Sequence, residues 1–206
     1  MQTSFYERWI LPRLIDLAMR NPEARRYRER LVPQARGRVL EIGIGSGLNL
    51  PYYGPEVERL YGLDPSERLL AMARRRGRRA GFPVELLERS AEAIPLADRS
   101  VDTVVCTFTL CSVPDPRAAL AEMRRVLDPD GTLLFAEHGL APDRPVQRWQ
   151  RRLNPYWRAI AGGCNMDRKM DDLIAAAGFG TTEASAEYVK GPRVLAFVYS
   201  GSARRG

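Results

Sequence analysis

Three glycines at alternate positions, together with two acidic residues, form the part of this sequence best suited to bind a ligand. Gly43, Gly45 and Gly47 follow the apolar run that contains Glu41, and Asp64 follows the next apolar run. Glycine lets the backbone turn tightly and approach a ligand without a Cβ in the way. The carboxylate of Asp64 can accept hydrogen bonds from both hydroxyls of a ribose. The acid at Glu41 can pair with a positively charged group of the ligand. The pattern predicts a site for a nucleoside that carries a charged tail.

The glycine spacing distinguishes this turn from one that binds dinucleotides. A dinucleotide fingerprint reads G-x-G-x-x-G, with a helix N-terminus facing the pyrophosphate. Here the third glycine, Gly47, comes one residue earlier, and an acid precedes the first glycine. An acid at this place suits a cationic ligand better than a pyrophosphate. The turn therefore favours S-adenosylmethionine as the cofactor, and a nicotinamide-dependent dehydrogenase is kept as an alternative.

Apolar stretches of strand length alternate with stretches of helical length through the first two thirds of the sequence. We predict strands over residues 38–42, 59–64, 83–87, 101–108 and 132–137, and helices over residues 66–79 and 115–127. Such alternation is typical of an α/β fold with a parallel, doubly wound sheet. Ligands of this architecture bind outside the carboxyl ends of the strands, which is where Gly43 and Asp64 lie.

The rest of the sequence divides the single predicted domain into four segments. A helix over residues 167–177 precedes two stretches, 181–188 and 193–199, whose alternating pattern predicts an antiparallel pair at the sheet edge. The segments are N-terminal helical (residues 1–37), cofactor-binding core (38–137), insert (140–166), and C-terminal helix with antiparallel strands (167–200). The insert is expected to cover the acceptor site as a lid. In the first segment, Pro12 is expected to interrupt a helix over residues 5–19.

Composition and charge narrow the range of partners. At 206 residues and 45% hydrophobic content, the chain fits one domain with a substantial core. The net charge is +7, and nearly all of the positively charged residues are arginines. No aromatic residues interleave with the run Arg74-Arg-Arg-Gly-Arg-Arg79, as a groove for single-stranded nucleic acid requires. We expect solvated helix faces and no nucleic-acid partner, with peripheral contact with a membrane surface as an alternative.

The cysteine content favours a location of the protein in the reducing cytoplasm, and the hydropathy pattern predicts neither a membrane span nor a secretory signal. Cys106, Cys111 and Cys164 are too few and too scattered for a disulfide framework or a zinc site, and their spacing gives no motif for arsenic binding. We therefore predict no metal. No stretch approaches the ~18 uninterrupted apolar residues of a membrane-spanning helix, and the N-terminal residues lack the basic and apolar regions of a secretory signal.

The central part of the chain, residues 38 to 137, resembles the class I S-adenosylmethionine-dependent methyltransferases. The matching residues are Glu41-Ile-Gly-Ile-Gly-Ser-Gly47, Asp64, Ala91-Glu-Ala-Ile-Pro-Leu96, Ser100-Val-Asp-Thr-Val-Val105 and Arg124-Arg-Val-Leu-Asp-Pro-Asp-Gly131. The resemblance implies a seven-stranded, mostly parallel sheet with a Rossmann-like arrangement and an antiparallel last strand. It further implies cofactor contacts by position.

In these implied contacts, Glu41, Gly43 and Gly45 line the methionine moiety, and Asp64 takes the ribose. Pro65 and Ser66 lie beside the adenine, and Thr107 faces the sulfonium. Ser90 stands where the family often has an aspartate that accepts a hydrogen bond from the adenine amino group. Backbone in the neighbouring Ala91-Glu92 pair is the expected substitute for that contact.

A closer resemblance, to the alkyl-thiol methyltransferase group, rests on the loop after the fourth strand and on the insert. Its residues are Val105-Cys-Thr-Phe-Thr-Leu-Cys-Ser-Val113, Glu137-His138, Trp149-Gln150, Pro155-Tyr-Trp157, Gly162-Gly-Cys164 and Arg168. The resemblance implies a small or lipophilic acceptor, with thiol sulfur as the first choice. It implies an acceptor pocket formed by Leu110, Cys111, His138, Trp149, Trp157 and Cys164.

His138 is the side chain that the sequence best places to remove a proton from a thiol. A thiol reacts as its thiolate and has an unperturbed pKa of about 8.5. Histidine, with an unperturbed pKa of about 6.5, can take up the proton near neutrality. We predict His138 and Thr107 as the catalytic residues; the alternative is a hydrogen-bonded His138 that orders the turn at Glu137. Cys106 and Cys111 are expected to be small buried side chains rather than nucleophiles.

Other functions share much of the same pattern. Phospholipid and quinone methyltransferases have a similar core, so N-methylation of phosphatidylethanolamine and C- or O-methylation of a quinone precursor are alternatives within the enzymes. A domain that binds the cofactor without catalysis, as a sensor or a partner subunit, is the alternative outside them. The glycine turn is common to all of these functions, so the acceptor has to be argued from the region between Thr107 and Cys164.

Overall fold

Seven strands form one sheet in the structure, a computed structural model that describes residues 6–206. The strands are β1 (Gly37–Ile42), β2 (Val57–Leu63), β3 (Val84–Leu87), β4 (Val101–Thr107), β5 (Leu127–His138), β6 (Phe179–Tyr188) and β7 (Phe197–Arg205). Their order across the sheet is β3-β2-β1-β4-β5-β7-β6. Of these strands, β7 alone runs in the direction opposite to the other six. This confirms the predicted doubly wound, mostly parallel sheet with an antiparallel last strand.

Six α-helices flank or connect the strands. They are α1 (Leu11–Ala18), α2 (Pro22–Leu31), α3 (Glu67–Gly77), α4 (Pro116–Val126), α5 (Arg144–Ile160) and α6 (Met170–Ala176), with a short π-helical turn at Tyr6–Ile10. Side chains of Asn21, Ser66 and Asp115 cap α2, α3 and α4 by accepting backbone N–H groups of the first turn. None of these helices, within the part of the chain that the structure describes, is both long enough and apolar enough to span a membrane.

Several predicted boundaries differ from the observed ones. The last strand begins at Phe197 instead of residue 193, because residues 189–196 form a closed loop in which the Val189 N–H bonds to the Ala196 carbonyl at 2.8 Å. Pro12 lies in the first turn of α1 and does not interrupt the helix. Backbone N–H groups in the first turn have no intrahelical acceptor, so a proline, which lacks an N–H, loses no hydrogen bond there. The start of the predicted N-terminal segment, residues 1–5, lies outside the described residues.

The insert forms a 17-residue helix, α5, that is fixed to the domain by buried polar side chains. Gln150, 1% exposed, donates from Nε2 to the carbonyls of Gly139 (3.1 Å) and Val194 (3.2 Å). One turn later, Asn154 accepts a hydrogen bond from the Met166 N–H at 2.9 Å. Because these contacts hold both ends of the insert, it is a packed element of the domain.

Both faces of the central strands are buried, as expected for a parallel sheet covered by helices. Side chains alternate between two apolar clusters: Leu40 and Ile42 of β1 join one cluster, and Val39 joins the other. The carboxyl ends of β1, β2, β4 and β5 meet at one edge of the sheet. That edge carries the predicted cofactor and acceptor residues.

Candidate functional site

Asp64 joins the two loops that follow β1 and β2. Its Oδ2 accepts a hydrogen bond from the Gly45 N–H at 3.0 Å, and its Oδ1 accepts one from the Ser66 N–H at 2.8 Å. Burial raises the pKa of Asp64 to about 6, while these two hydrogen bonds oppose the rise. Each carboxylate oxygen has a further lone pair, so Asp64 can still accept hydrogen bonds from a ribose, which is its predicted role.

The three glycines of the turn have different surroundings, although all have positive φ angles of 65°, 55° and 80°. A Cβ on Gly43 would lie 2.2 Å from Thr109 Oγ1, and one on Gly47 would lie 2.7 Å from a methyl of Leu50. The described atom nearest to a Cβ on Gly45 would be 3.8 Å away. Gly43 and Gly47 therefore allow the turn to pack, whereas Gly45 presents open backbone that a ligand can approach.

Glu41 is 1% exposed and lies behind this turn, with both carboxylate oxygens hydrogen-bonded inside the protein. Asn49 Nδ2 donates to Oε1 and the Tyr53 hydroxyl donates to Oε2, each at 2.8 Å. Burial raises the pKa of Glu41 to about 8, against the effect of these hydrogen bonds. Sequence reasoning missed Asn49 and Tyr53, although a buried acid requires partners of this kind. The direct contact of Glu41 with a cationic group stays a prediction.

Asn49 connects Glu41 with the end of β4. Its Nδ2 also donates to Thr107 Oγ1 at 3.0 Å, and its Oδ1 accepts a hydrogen bond from Arg28 Nε at 2.9 Å. Arg28 is buried on α2, and burial lowers the pKa of its guanidinium. This network holds Thr107 at the carboxyl end of β4, next to the glycine turn. Nothing in the sequence distinguishes Arg28 from the other arginines of α2.

The residues predicted to lie beside the adenine follow β2 and β3. Pro65 and Ser90 are exposed, Ser66 is half-buried and Ala91 is buried. The Ser90 hydroxyl donates to the carboxylate of Glu92. These residues lie at the same sheet edge as Asp64, and their contacts with an adenine stay predictions.

Glu137, at the end of β5, fixes the loop that follows β4. Its Oε1 accepts the N–H groups of Thr109 and Leu110, each at 2.9 Å, and its Oε2 accepts that of Cys111 at 3.1 Å. The Cys106 thiol donates to the same carboxylate at 3.3 Å. Burial raises the pKa of Glu137, and the three backbone donors oppose the rise. The carboxylate therefore holds three consecutive N–H groups, a role that sequence reasoning had considered only for the neighbouring histidine.

The end of the insert holds the other side of this loop. The backbone N–H and the side-chain amide of Asn165 both donate to the Cys111 carbonyl, at 2.8 and 3.0 Å. Arg168 Nη1 donates to the carbonyls of Leu110 and Val113, each at 2.7 Å. The loop after β4 is thus bonded through its N–H groups to β5 and through its carbonyls to the insert.

Cys111 and Cys164, which are far apart in the sequence, lie next to each other in the structure. Cys164 Sγ lies 3.5 Å from Cys111 Sγ and 3.8 Å from His138 Nδ1, and the three atoms lie within 4.8 Å of one another. Hydrogen bonding to Cys111, with a further effect of His138, lowers the pKa of Cys164 against the effect of burial. The same hydrogen bond and burial raise the pKa of Cys111. The two thiols are therefore electrostatically linked through their contact.

A cavity of about 190 Å³ lies beside His138, at the carboxyl end of β5. Its wall is mainly apolar and includes Tyr27 of α2, Phe108 after β4, and Val198 of β7. The rings of Phe108 and His138 pack with centroids 5.1 Å apart. The cavity is therefore suited to an apolar molecule that presents one reactive group to the histidine.

The six residues predicted to line the acceptor pocket do not all line this cavity, although Cys111, His138 and Cys164 lie close together. Of the six, only the histidine lines the cavity of about 190 Å³. Leu110, Cys111 and Cys164 are buried. Trp157 lines a second, much smaller space next to the histidine, and Trp149 is 54% exposed at the surface. Sequence reasoning did not identify Tyr27 or Val198, because α2 and β7 come to this edge through long-range packing.

Comparison with known proteins adds to this geometry. Residues 40–135 match the family model described as a methyltransferase domain. Thiol S-methyltransferase TMT1B of Rattus norvegicus is 36% identical over 149 residues, which cover 70% of this chain and 61% of that protein. The phosphatidylethanolamine N-methyltransferase of Cereibacter sphaeroides is 36% identical over 119 residues, 57% of this chain and 58% of that protein. The chain thus spans about three fifths of the length of these curated relatives.

The fold is also that of a solved structure with a bound ligand. N-methyltransferase NodS of Bradyrhizobium japonicum WM9, determined in complex with S-adenosyl-L-homocysteine, superposes with a TM-score of 0.68 at 20% identity. The superposition covers 90% of this chain and 88% of NodS. At this identity the likeness concerns the fold.

Proposed function

The chain belongs to the class I S-adenosylmethionine-dependent methyltransferases, and we propose that its acceptor is the sulfur of a small, lipophilic thiol. The observation that carries this proposal is the apolar cavity of about 190 Å³ with His138 in its wall. Such a cavity accommodates an alkyl or aryl group and brings one ionisable group of the acceptor to the imidazole. The thiol S-methyltransferase of the rat, which matches 70% of this chain, supports the choice of sulfur.

The residues around the glycine turn fit S-adenosylmethionine. The open backbone at Gly45 provides space for close approach, and Asp64 can accept hydrogen bonds from the ribose. Thr107, held by Asn49, lies at the sheet edge between this turn and the cavity. When bound, the cofactor supplies a methyl group that is already activated for in-line displacement. The protein's main task is then to hold the acceptor in line and near contact distance.

We propose that His138 promotes ionisation of the acceptor thiol and that Thr107 faces the sulfonium. His138 fits this role because it is half-buried in the cavity wall and packed against Phe108, which restricts the orientation of the ring. A thiolate is the reactive form of the acceptor, and a thiol with a pKa of about 8.5 is mostly protonated near pH 7. A group that favours the thiolate would therefore increase the rate.

A second candidate function is N-methylation of phosphatidylethanolamine. It is supported by the relative from Cereibacter sphaeroides and by a large exposed apolar face on α1 and α5. We further propose a cytoplasmic location with peripheral contact with a membrane through that face. The three free cysteines agree with a reducing compartment. A membrane contact suits either a lipophilic thiol or a lipid amine, so the acceptor has to be tested directly.

The test is an acceptor screen with the purified protein and isotopically labelled S-adenosylmethionine. The acceptors are alkyl thiols of increasing chain length, hydrogen sulfide, phosphatidylethanolamine vesicles and quinols, and mass spectrometry identifies the methylated product. We expect methyl thioethers, formed faster as the alkyl chain fills the cavity. Exclusive methylation of the phospholipid amine or of a quinol would contradict the thiol proposal.

Two variants test the role of the cavity in the same assay. His138→Ala should lower turnover with thiols at least tenfold, because general acid–base assistance typically contributes 10²–10⁴-fold. It should leave the affinity for S-adenosylhomocysteine unchanged within about twofold. Tyr156→Ala, at a residue that is 73% exposed on α5, is the matched control and should keep full activity with a water-soluble thiol.

A further inference from the structure

Cys111, His138 and Cys164 form a compact group of soft ligand atoms at the edge of the proposed acceptor site. The sulfur atoms are 3.5 Å apart, Cys164 Sγ is 3.8 Å from His138 Nδ1, and all three atoms lie within 4.8 Å of one another. The residues come from three different elements, namely the loop after β4, the end of β5 and the end of the insert. The fold, and not proximity in the sequence, therefore brings these three side chains together.

These distances are close to those of a tetrahedral zinc site. With Zn–S bonds of about 2.3 Å and Zn–N bonds of about 2.0–2.1 Å, two tetrahedral ligands lie about 3.8 Å apart for sulfur with sulfur and about 3.6 Å apart for sulfur with nitrogen. The observed S–S distance and the distance from Cys164 Sγ to His138 Nδ1 differ from these values by a few tenths of an ångström, and the third pair lies within 4.8 Å. We propose that Cys111, His138 and Cys164 bind one thiophilic metal ion of the Zn²⁺ class.

The donor set selects the class of ion. Two thiols and one imidazole suit zinc and other soft or borderline ions, whereas magnesium and calcium prefer oxygen ligands. The carboxylate of Glu137, which accepts the Cys111 N–H, also accepts two further backbone N–H groups and supports the loop. The group therefore offers two sulfur atoms and one nitrogen to an ion.

The surrounding contacts hold the ligands in place before any ion binds. Asn165, the residue after Cys164, donates twice to the Cys111 carbonyl, and Glu137 accepts the Cys111 N–H. Trp157 has a buried Nε1 without a well-aligned hydrogen-bond partner among the described residues, and the indole lies beside the Cys164 thiol. An indole N–H beside a sulfur ligand can donate to the thiolate of a metal site. Supporting contacts of this kind commonly orient metal ligands.

Three protein ligands leave a tetrahedral ion with one open position, as in catalytic zinc sites. His138 connects the group to the cavity proposed for the acceptor, so the open position suits the acceptor sulfur. This part of the inference rests on the proposed function. On binding the ion, the acceptor thiol would release its proton to solvent and remain as a metal-bound thiolate. His138 would then act as a ligand, and the ion would promote thiol ionisation in place of a free imidazole base.

Metal binding can be tested without measuring methyl transfer. Reduced protein is titrated with Zn²⁺ against a chromophoric chelator, and with Co²⁺, whose charge-transfer absorption reports thiolate ligands. We expect one ion per chain, bound with a thiolate charge-transfer band. Cys111→Ser and Cys164→Ser should each weaken Zn²⁺ binding by more than the roughly 10- to 100-fold that loss of a supporting contact costs. Cys106→Ser, which removes a buried thiol outside the group, is the control and should bind like the natural chain.

The open position is tested by adding an aliphatic thiol to the Co²⁺-loaded protein in the absence of S-adenosylmethionine. A change in the charge-transfer band supports thiol ligation, and an unchanged band contradicts it. Absence of stoichiometric binding, equal binding by the Cys111→Ser Cys164→Ser double variant, or recovery of the two cysteines as a disulfide from zinc-supplemented cells would overturn the site. Failure of the acceptor screen would leave these results unaffected, so the two proposals fail independently.

Discussion

Asp64 combines a structural and a ligand-binding role in one carboxylate. It accepts hydrogen bonds from Gly45 and Ser66, and burial raises its pKa to about 6. As the pH falls through this value the carboxylate takes up a proton and loses acceptor capacity for the ribose. We therefore expect the affinity for S-adenosylhomocysteine to be about tenfold lower at pH 5 than at pH 7, since one pKa unit corresponds to a factor of ten. Isothermal titration calorimetry between pH 5 and pH 7 measures this affinity.

Two substitutions make this prediction specific to Asp64. Asp64→Asn should bind S-adenosylhomocysteine weakly at both pH values and show a flat pH dependence. Asp98→Asn, at an exposed carboxylate that pairs with Arg125 on the surface, should keep the full dependence. An affinity that stays constant between pH 5 and pH 7 in the natural chain would show that Asp64 does not bind the cofactor as a carboxylate.

The glycine turn illustrates how far residue types predict a site. Spacing alone identified the turn and the acid at Asp64, because tight turns and ribose contacts restrict the residues that can be used. It could not distinguish Gly45, which faces open space, from Gly43, which packs against Thr109. It also could not show that both oxygens of Glu41 are bonded inside the protein, because that depends on how Asn49 and Tyr53 fold back onto it.

At the scale of elements, the loop after β4 depends on β5 for its shape. Glu137 accepts three consecutive backbone N–H groups of that loop and one thiol, and it is fully buried. In Glu137→Gln the amide group replaces one acceptor oxygen with a donor, which leaves at least one buried N–H unpaired. Each such group costs about 1–3 kcal/mol. We expect a loss of about that size in the free energy of unfolding, measured by urea denaturation.

The control for this variant is Glu183→Gln, at an exposed position of β6. Surface substitutions of this type are usually within about 0.5 kcal/mol of the natural protein. If Glu137→Gln were equally neutral, the carboxylate would not be what holds the loop. The comparison separates the effect of four hydrogen bonds from the general effect of removing one charge.

Elements with a strong local pattern were predicted, and elements defined by distant contacts were not. The parallel strands read as continuous apolar runs because both faces of the sheet are covered. The helix α5 was not predicted, although Gln150, Asn154 and Trp157 lie on one helical face. Two of these residues are polar and are buried only because they form hydrogen bonds inside the protein, so the face does not appear as an apolar pattern. The approach of Cys111 to Cys164 joins residues 53 positions apart, which no local spacing reveals.

At the scale of the whole molecule, the large exposed hydrophobic side chains are concentrated in two helical segments. Among the described residues they are Trp9, Ile10, Leu14 and Leu17 in and before α1, and Trp149, Leu153, Tyr156 and Ile160 on α5. The α5 residues are 39–73% exposed and recur at helical spacing, so they form one stripe. The end of α5 lies next to this N-terminal segment: the Tyr6 hydroxyl, in the turn before α1, donates to the Ile160 carbonyl at 3.4 Å, and a Cβ on Gly162, just after α5, would lie 3.3 Å from Ile15 of α1. We call this surface the α1–α5 face.

Charge adds a second feature to the α1–α5 face. The helix α5 contains five arginines and no acidic residue over its 17 positions, and the chain as a whole carries a net charge of +7. An amphipathic helix with an apolar stripe and a basic opposite side binds at the interface of anionic membranes. A lipophilic acceptor dissolved in such a membrane would then lie close to the cavity beside His138.

The α1–α5 face leads to the prediction that the chain binds anionic vesicles. In flotation assays the protein should bind vesicles that contain anionic lipid and bind neutral vesicles more weakly, because each basic residue near an anionic surface contributes about 1 kcal/mol. Leu153→Glu with Ile160→Glu should abolish flotation while circular dichroism stays unchanged. Arg74→Ala with Arg75→Ala changes the net charge by the same amount at exposed positions of α3 and should retain most of the binding. Equal losses in both double variants would show that overall charge, and not the α1–α5 face, attracts the protein to the membrane.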